Sequence, residues 1–155
     1  MSFIQQIANA DARRQSEYFV PGQYLVVIND FKEGKNRKGR DFVVLETTVL
    51  DSDNPAEHPA GSSRSWLCMQ DVDSTAGNIR GMLCAVLGVA DSALSVDMIT
   101  AALTPDEETG KSSIAGLRAI IHARNVMTKA GRPFTLLNFA AAADDAETLK
   151  DVKVS

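Results

Sequence analysis

Lys32, Lys35, Arg37, Lys38 and Arg40 fall within nine residues of a 155-residue chain whose net charge is -4. The stretch reads "KEGKNRKGRDF", with Gly34 and Gly39 punctuating it. Cations at this density repel one another unless solvent or a polyanion screens them. Phosphate groups would supply that screening. The plain alternative is a solvated turn kept soluble by lysine. A second basic turn, "TKAGRP" at 128–133, carries Lys129 and Arg132. Between the two turns, Arg118, His122 and Arg124 alternate along "AGLRAIIHARNVM", opposite an apolar face of Leu117, Ala119, Ile121 and Ala123. Arg64 shares one face of "SRSWLCMQ" with Trp66 and Cys68, because successive strand side chains point to opposite sides.

A single-stranded nucleic acid is held by cations along its backbone and by aromatic faces under its bases. Trp66 is the leading stacking candidate, and core packing is its equal alternative. Phe31 and Phe42 bracket the basic turn and come second, since each adjoins a strongly apolar run. Phe134 and Phe139 read as core residues on opposite faces, so at most one would line a cleft.

Catalytic chemistry finds less support. His58 and His122 are far apart and stand in no metal-ligand spacing with Cys68 and Cys84. There is no phosphate-binding loop, no nucleophile elbow and no zinc-protease motif. Asp71 and Asp73, in "DVD", read better as complements to a helix dipole than as metal ligands. The expectation is a non-enzyme without metal or cofactor. Two cysteines make no disulfide framework. No apolar run approaches the about 18 residues that span a bilayer. The start, "MSFIQQIANADARRQ", lacks the pattern of a signal peptide. A cytoplasmic protein with no membrane partner is therefore expected.

The elements that must position these residues follow from periodicity and turn chemistry. A weak apolar stripe of Phe3, Ile4 and Ile7 predicts a short helix within an N-terminal segment, 1–20. "YLVVINDF" (24–31) and "DFVVLETTVLD" (41–51) read as strands joined in a hairpin by the basic turn. In the second strand Val43, Leu45, Thr47 and Val49 form the apolar face. "SDNPAEHPAGS" (52–62) is a loop, and 63–70 is a third strand. Ile79, Met82, Leu83, Val86 and Leu87 predict a helix that Gly88 stops. Ser95 caps a second helix over 95–103. Residues 115–127 and 134–141 are the fourth and fifth strands, and 142–155 reads as a polar, flexible tail. Three strands, a helical insert and two strands over 21–141 predict an all-β dominated domain. Its plan is that of an OB-fold, a five-stranded, partly open Greek-key barrel. In that fold the hairpins after strands one and four frame the ligand cleft. Acid is kept on other loops, at Asp51, Asp53 and Glu57, at Asp106, Glu107 and Glu108, and in the tail. Local field, rather than net charge, governs binding.

The order "FVPGQYLVVI", "NRKGRDFVVLETTVLDSD", "HPAGSSRSWL" and a helix ending "LGV" resembles a group of small phage-encoded single-stranded DNA-binding proteins with an OB-fold. "AGLRAIIHARNVMTKAGRPF" is similar to the closing strand pair of that group. The resemblance implies sequence-independent protection of single-stranded DNA in phage replication, recombination or repair, in the host cytoplasm. It carries Lys35, Arg37, Lys38, Arg40 and the basic strand-four pair over as binding residues. It implies replication or recombination proteins as partners, and a homo-oligomer is compatible with it. The tail departs from the group: it ends "LKDVKVS", with lysines and no aromatic residue. Two other readings compete, an OB-like protein-interaction or virion assembly module, and a metal-dependent nuclease using Asp71, Asp73 or Glu46.

Overall fold

The computed structural model describes residues 4–5, 18–127, 131, 133–143 and 145–149. It is mostly β. Five strands form one antiparallel sheet: β1 (Gly22–Lys35), β2 (Asp41–Ser52), β3 (Ser63–Met69), β4 (Arg118–Met127) and β5 (Pro133–Ala141). Two helices, α1 (Thr75–Leu87) and α2 (Val96–Leu103), lie between β3 and β4. The order across the sheet is β3-β2-β1-β4-β5. Of the short helix expected before residue 16, only Ile4 and Gln5 are described, and both are helical. No helix among the described residues is long and apolar enough to cross a membrane.

Local chemistry sets the element boundaries. Val43, Leu45, Thr47 and Val49 of β2 are buried, while the intervening residues are half-buried, the alternation that a sheet with one core face requires. Gly88 ends α1 in the left-handed region at φ 66, where a Cβ would be strained. Ser95 caps α2 by accepting the Met98 N–H at 3.2 Å. β1 carries two register shifts, at Leu25/Val26 and Ile28/Asp30. Such irregularities bend a strand and increase its twist.

The bend has a measurable consequence. A flat sheet would hold its outer strands about 19 Å apart, four spacings of about 4.8 Å. Here the rings of Trp66 on β3 and Phe139 on β5 lie with centroids 5.0 Å apart. The sheet has curled until its two edges face each other. No ladder of hydrogen bonds joins β3 to β5 among the described residues, so the sheet is open along a seam.

The curled interior holds two adjoining clusters. Ile28, Phe31, Val43 and Leu45 pack against Met82, Leu83, Leu94, Ala102 and Ile114. Phe19, Tyr24, Val26, Val49, Ala119, Ile121, Ala123 and Leu137 form the second, and Trp66, Val86 and Phe139 touch both. A third cluster lies on the outer face. Leu25 and Ile120, paired across β1 and β4, are covered by Ala142 and Ala146, with Leu149 packed alongside. The Leu149 N–H donates to Asp51 at 2.8 Å. Of the flexible tail expected over 142–155, the described Ala142, Ala146 and Leu149 instead close over an otherwise exposed Leu25–Ile120 pair, and 144 and 150–155 lie outside the described residues.

Candidate nucleic-acid interface

The β1–β2 turn is built around Asn36. Its backbone N–H donates to the Arg40 carbonyl at 2.9 Å and its carbonyl accepts from Gly39 N–H at 3.0 Å. Its side-chain Oδ1 accepts from the Lys38 and Arg40 amides at 3.0 and 2.9 Å. Asparagine suits such turns because its side chain mimics a backbone acceptor. Gly39 takes φ 80, which favours glycine. Below the turn, the Phe42 ring lies over Gly34, where a Cβ would come within 2.5 Å of it.

The five cations of the hairpin divide into two kinds. Lys32 pairs with Glu46 at 3.2 Å and Lys35 with Asp41 at 3.3 Å. Arg40 grips Asp71 with two parallel bonds, Nε to Oδ2 at 2.9 Å and Nη2 to Oδ1 at 2.6 Å. The carboxyl of Asp71 is held below its usual range by that guanidinium, through hydrogen bonding first. Arg37 and Lys38, at the exposed tip, have no carboxylate within 4.0 Å among the described residues. They are the hairpin's immediately available cations.

Arg64 belongs to a different structure. Its Nε–H points at His58 Nδ1 at 2.5 Å, and its other nitrogens donate to the carbonyls of Ser63 and Glu57 at 2.6 and 2.9 Å. His58 is fully buried, with Phe19 and Tyr24 edge-on to its ring, and Val20 N–H points at its Nε2 at 2.9 Å. A neutral imidazole accepts at one nitrogen only, so the ring accepts from one of these two donors. Arg64 thus holds the 54–62 loop to the sheet, with three of its five N–H groups directed there. That work in the fold competes with the phosphate contact expected of it.

Other expected residues sort by burial. Phe31 is 2% exposed inside the larger core, out of reach of a base. Phe42 is half-buried over Gly34 on the outer face of β2. Arg118 is half-buried; His122 and Arg124 are exposed on the outer face of β4, opposite Asn138 and Leu136 of β5. No hydrogen bond or ion pair ties His122 or Arg124 to the hairpin among the described residues. Lys129 and Arg132 lie outside the described residues.

The open seam supplies what the strand pattern did not reveal. A groove of about 460 Å³ runs between β3 and β5, lined by Tyr18, Trp66, Leu67, Val72, Phe134 and their neighbours. Eight large apolar side chains are exposed among the described residues. Four of them, Tyr18 (53%), Leu67 (41%), Val72 (46%) and Phe134 (48%), border this one groove. Exposed apolar groups gathered in one place mark a binding surface, whereas single ones are ordinary. Trp66 forms part of the lining while Phe139 packs against its ring at a 48° tilt. Both readings of Trp66 are met in part: it is core on one side and groove on the other. Phe134, expected in the core, is the member of the Phe134–Phe139 pair that faces outward.

On its β3 side the groove reaches the base of the hairpin. Phe134 lines it together with Met69, Met69 stands opposite Phe42, and Phe42 stands opposite Gly34. Asp71, the partner of Arg40, directly precedes the lining residue Val72. No protein-family model matches the chain, and neither does any curated protein.

Titratable chemistry is sparse here. Burial pushes the Cys68 thiol up to about 11, so it is an unreactive thiol near neutral pH. No group of three metal-ligating side chains is found among the described residues. Asp71 spends both carboxylate oxygens on Arg40 and stands before α1 rather than in its first turn.

Proposed function

We propose that this protein binds single-stranded DNA without sequence preference, in the β3–β5 groove beside the β1–β2 hairpin. The observation that carries the reading is the clustering of exposed Tyr18 and Phe134 around Trp66, next to a hairpin tip bearing Arg37 and Lys38. Aromatic side chains accept any base, because every base has a π face, at about 1–3 kcal/mol each. The tip cations would hold the phosphates on either side. The strand order and the helices between β3 and β4 support an OB-type Greek key, with the groove as its gap between strands three and five. The phage setting, in replication, recombination or repair, rests on the residue pattern alone.

An oligo-dT titration followed by the fluorescence of Trp66, the chain's single tryptophan, tests this. Saturable quenching is expected. Tyr18→Ala with Phe134→Ala should weaken binding about tenfold or more, since two stacking contacts are lost. Arg37 and Lys38, as the hairpin's unpaired cations among the described residues, should contribute about 1.4 to the magnitude of the slope of log Kd against log salt, about 0.7 per phosphate. A competing reading, an apolar docking groove for a protein, is favoured by Leu67 and Val72 on the same border. It expects no binding to oligo-dT at low salt, and that result would sink the DNA reading.

A further inference from the structure

We propose that Asp71 is an internal stand-in for phosphate, occupying Arg40 in the free protein and yielding it to the nucleic acid. The inference rests on the reading of the groove as a nucleic-acid site and adds a control to it. The fork of Arg40 is matched by a carboxylate in the two-bond geometry that a phosphate would also take. The pair spans 31 residues of sequence, and both side chains are about half exposed, at 48% and 57%. A pair this open to water contributes little to stability, so its exchange costs little. Asp71 also adjoins the groove lining at Val72, which puts Arg40 at the groove's mouth. A strand lying in the groove would therefore compete with Asp71 for the same two N–H donors.

The exchange leaves a trace in the salt dependence. When a phosphate replaces Asp71, the freed carboxylate takes up a cation while the phosphate releases one. Arg40 then adds almost nothing to the net counterion release. Removing the charge at Asp71 restores that increment, about 0.7 in the slope for a single strand.

The test is fluorescence anisotropy of labelled oligo-dT against the full chain and its variants, across a salt series. Asp71→Asn should bind about two- to fivefold tighter at low salt, the range set by an exposed ion pair. Its slope should steepen by about 0.7. Adding Arg40→Ala to Asp71→Asn should erase both changes. Asp73→Asn, which removes an equal charge two residues away, should gain less than Asp71→Asn. Asp71→Ser repeats the measurement if the asparagine variant folds poorly. Unchanged or weaker binding by Asp71→Asn, with wild type binding, overturns the stand-in and leaves the DNA reading intact. An equal gain from Asp73→Asn also overturns it, because the effect is then the general field. No binding by wild type or any variant sinks both.

Discussion

Arg40 and Arg64 look alike in sequence, each a cation where a strand begins; in the fold they do opposite work. Arg40 faces water and holds a single exposed carboxylate, a partner that another anion can replace. Arg64 is anchored to a buried imidazole and two backbone carbonyls. Displacing it would strand a buried ring and free a loop. The comparison teaches that a cation's availability is set by what its donors already hold. Carboxylate partners on the surface leave it exchangeable, whereas backbone and buried partners commit it to the fold.

The largest effect is expected at the committed corner. His58→Ala removes a fully buried ring packed against Phe19 and Tyr24 and takes away the one acceptor that Val20 and Arg64 face. A void and an orphaned donor should cost about 2–4 kcal/mol, read by urea denaturation. A loss under about 0.5 kcal/mol would show the corner to be plastic and weaken the contrast. Arg64→Ala, which keeps the ring but loses two hydrogen bonds to backbone carbonyls and the contact with His58, should cost about 1–3 kcal/mol by the same method.

A smaller effect sharpens the same point through pH. Burial first, then the charge of Arg64, lowers the pKa of His58 below 6.5. Glu57 opposes both, through a backbone hydrogen bond first and its carboxylate charge second, and is outweighed. The unfolded chain therefore takes up a proton before the native state does. This contribution to stability is complete above about pH 6.5 and is lost as pH falls toward the native pKa. Donors face both ring nitrogens and the neutral ring already carries one proton, so a second proton removes the one acceptor those donors have. Denaturation midpoints measured from pH 7.5 to 5.5 should fall, and His58→Gln should flatten the trend. An equal fall in the glutamine variant would assign it to other groups.

Much of the fold was legible before any coordinates. The odd-numbered face of β2, the stop at Gly88 and the cap at Ser95 are local chemistry, and each stands where the pattern put it. The site was legible only in outline. Arg40 looks like any hairpin cation until Asp71, 31 residues on, closes over it. Arg64 looks like a partner for Trp66 until His58 turns out to be buried beside it. Tyr18 precedes the first strand, and a parallel bridge to Ser65 brings it to the groove. The outward turn of Phe134 follows from strand parity, but its exposure depends on the open seam. Ala142, Ala146 and Leu149 carry a helix-like spacing that short alanine side chains make faint, and their cover over Leu25 and Ile120 is a long-range contact.

The central claim is that the tip cations meet the nucleic acid while Arg64 does not. Oligo-dT anisotropy at low salt, on the folded fraction of each variant, tests it directly. Arg37→Ala with Lys38→Ala should weaken binding several-fold and lower the salt slope by about 1.4, with stability unchanged within about 0.5 kcal/mol. Arg64→Ala should lose stability and keep its affinity and slope. Equal losses of affinity from the tip pair and from Arg64, or none from the tip pair, would contradict the account.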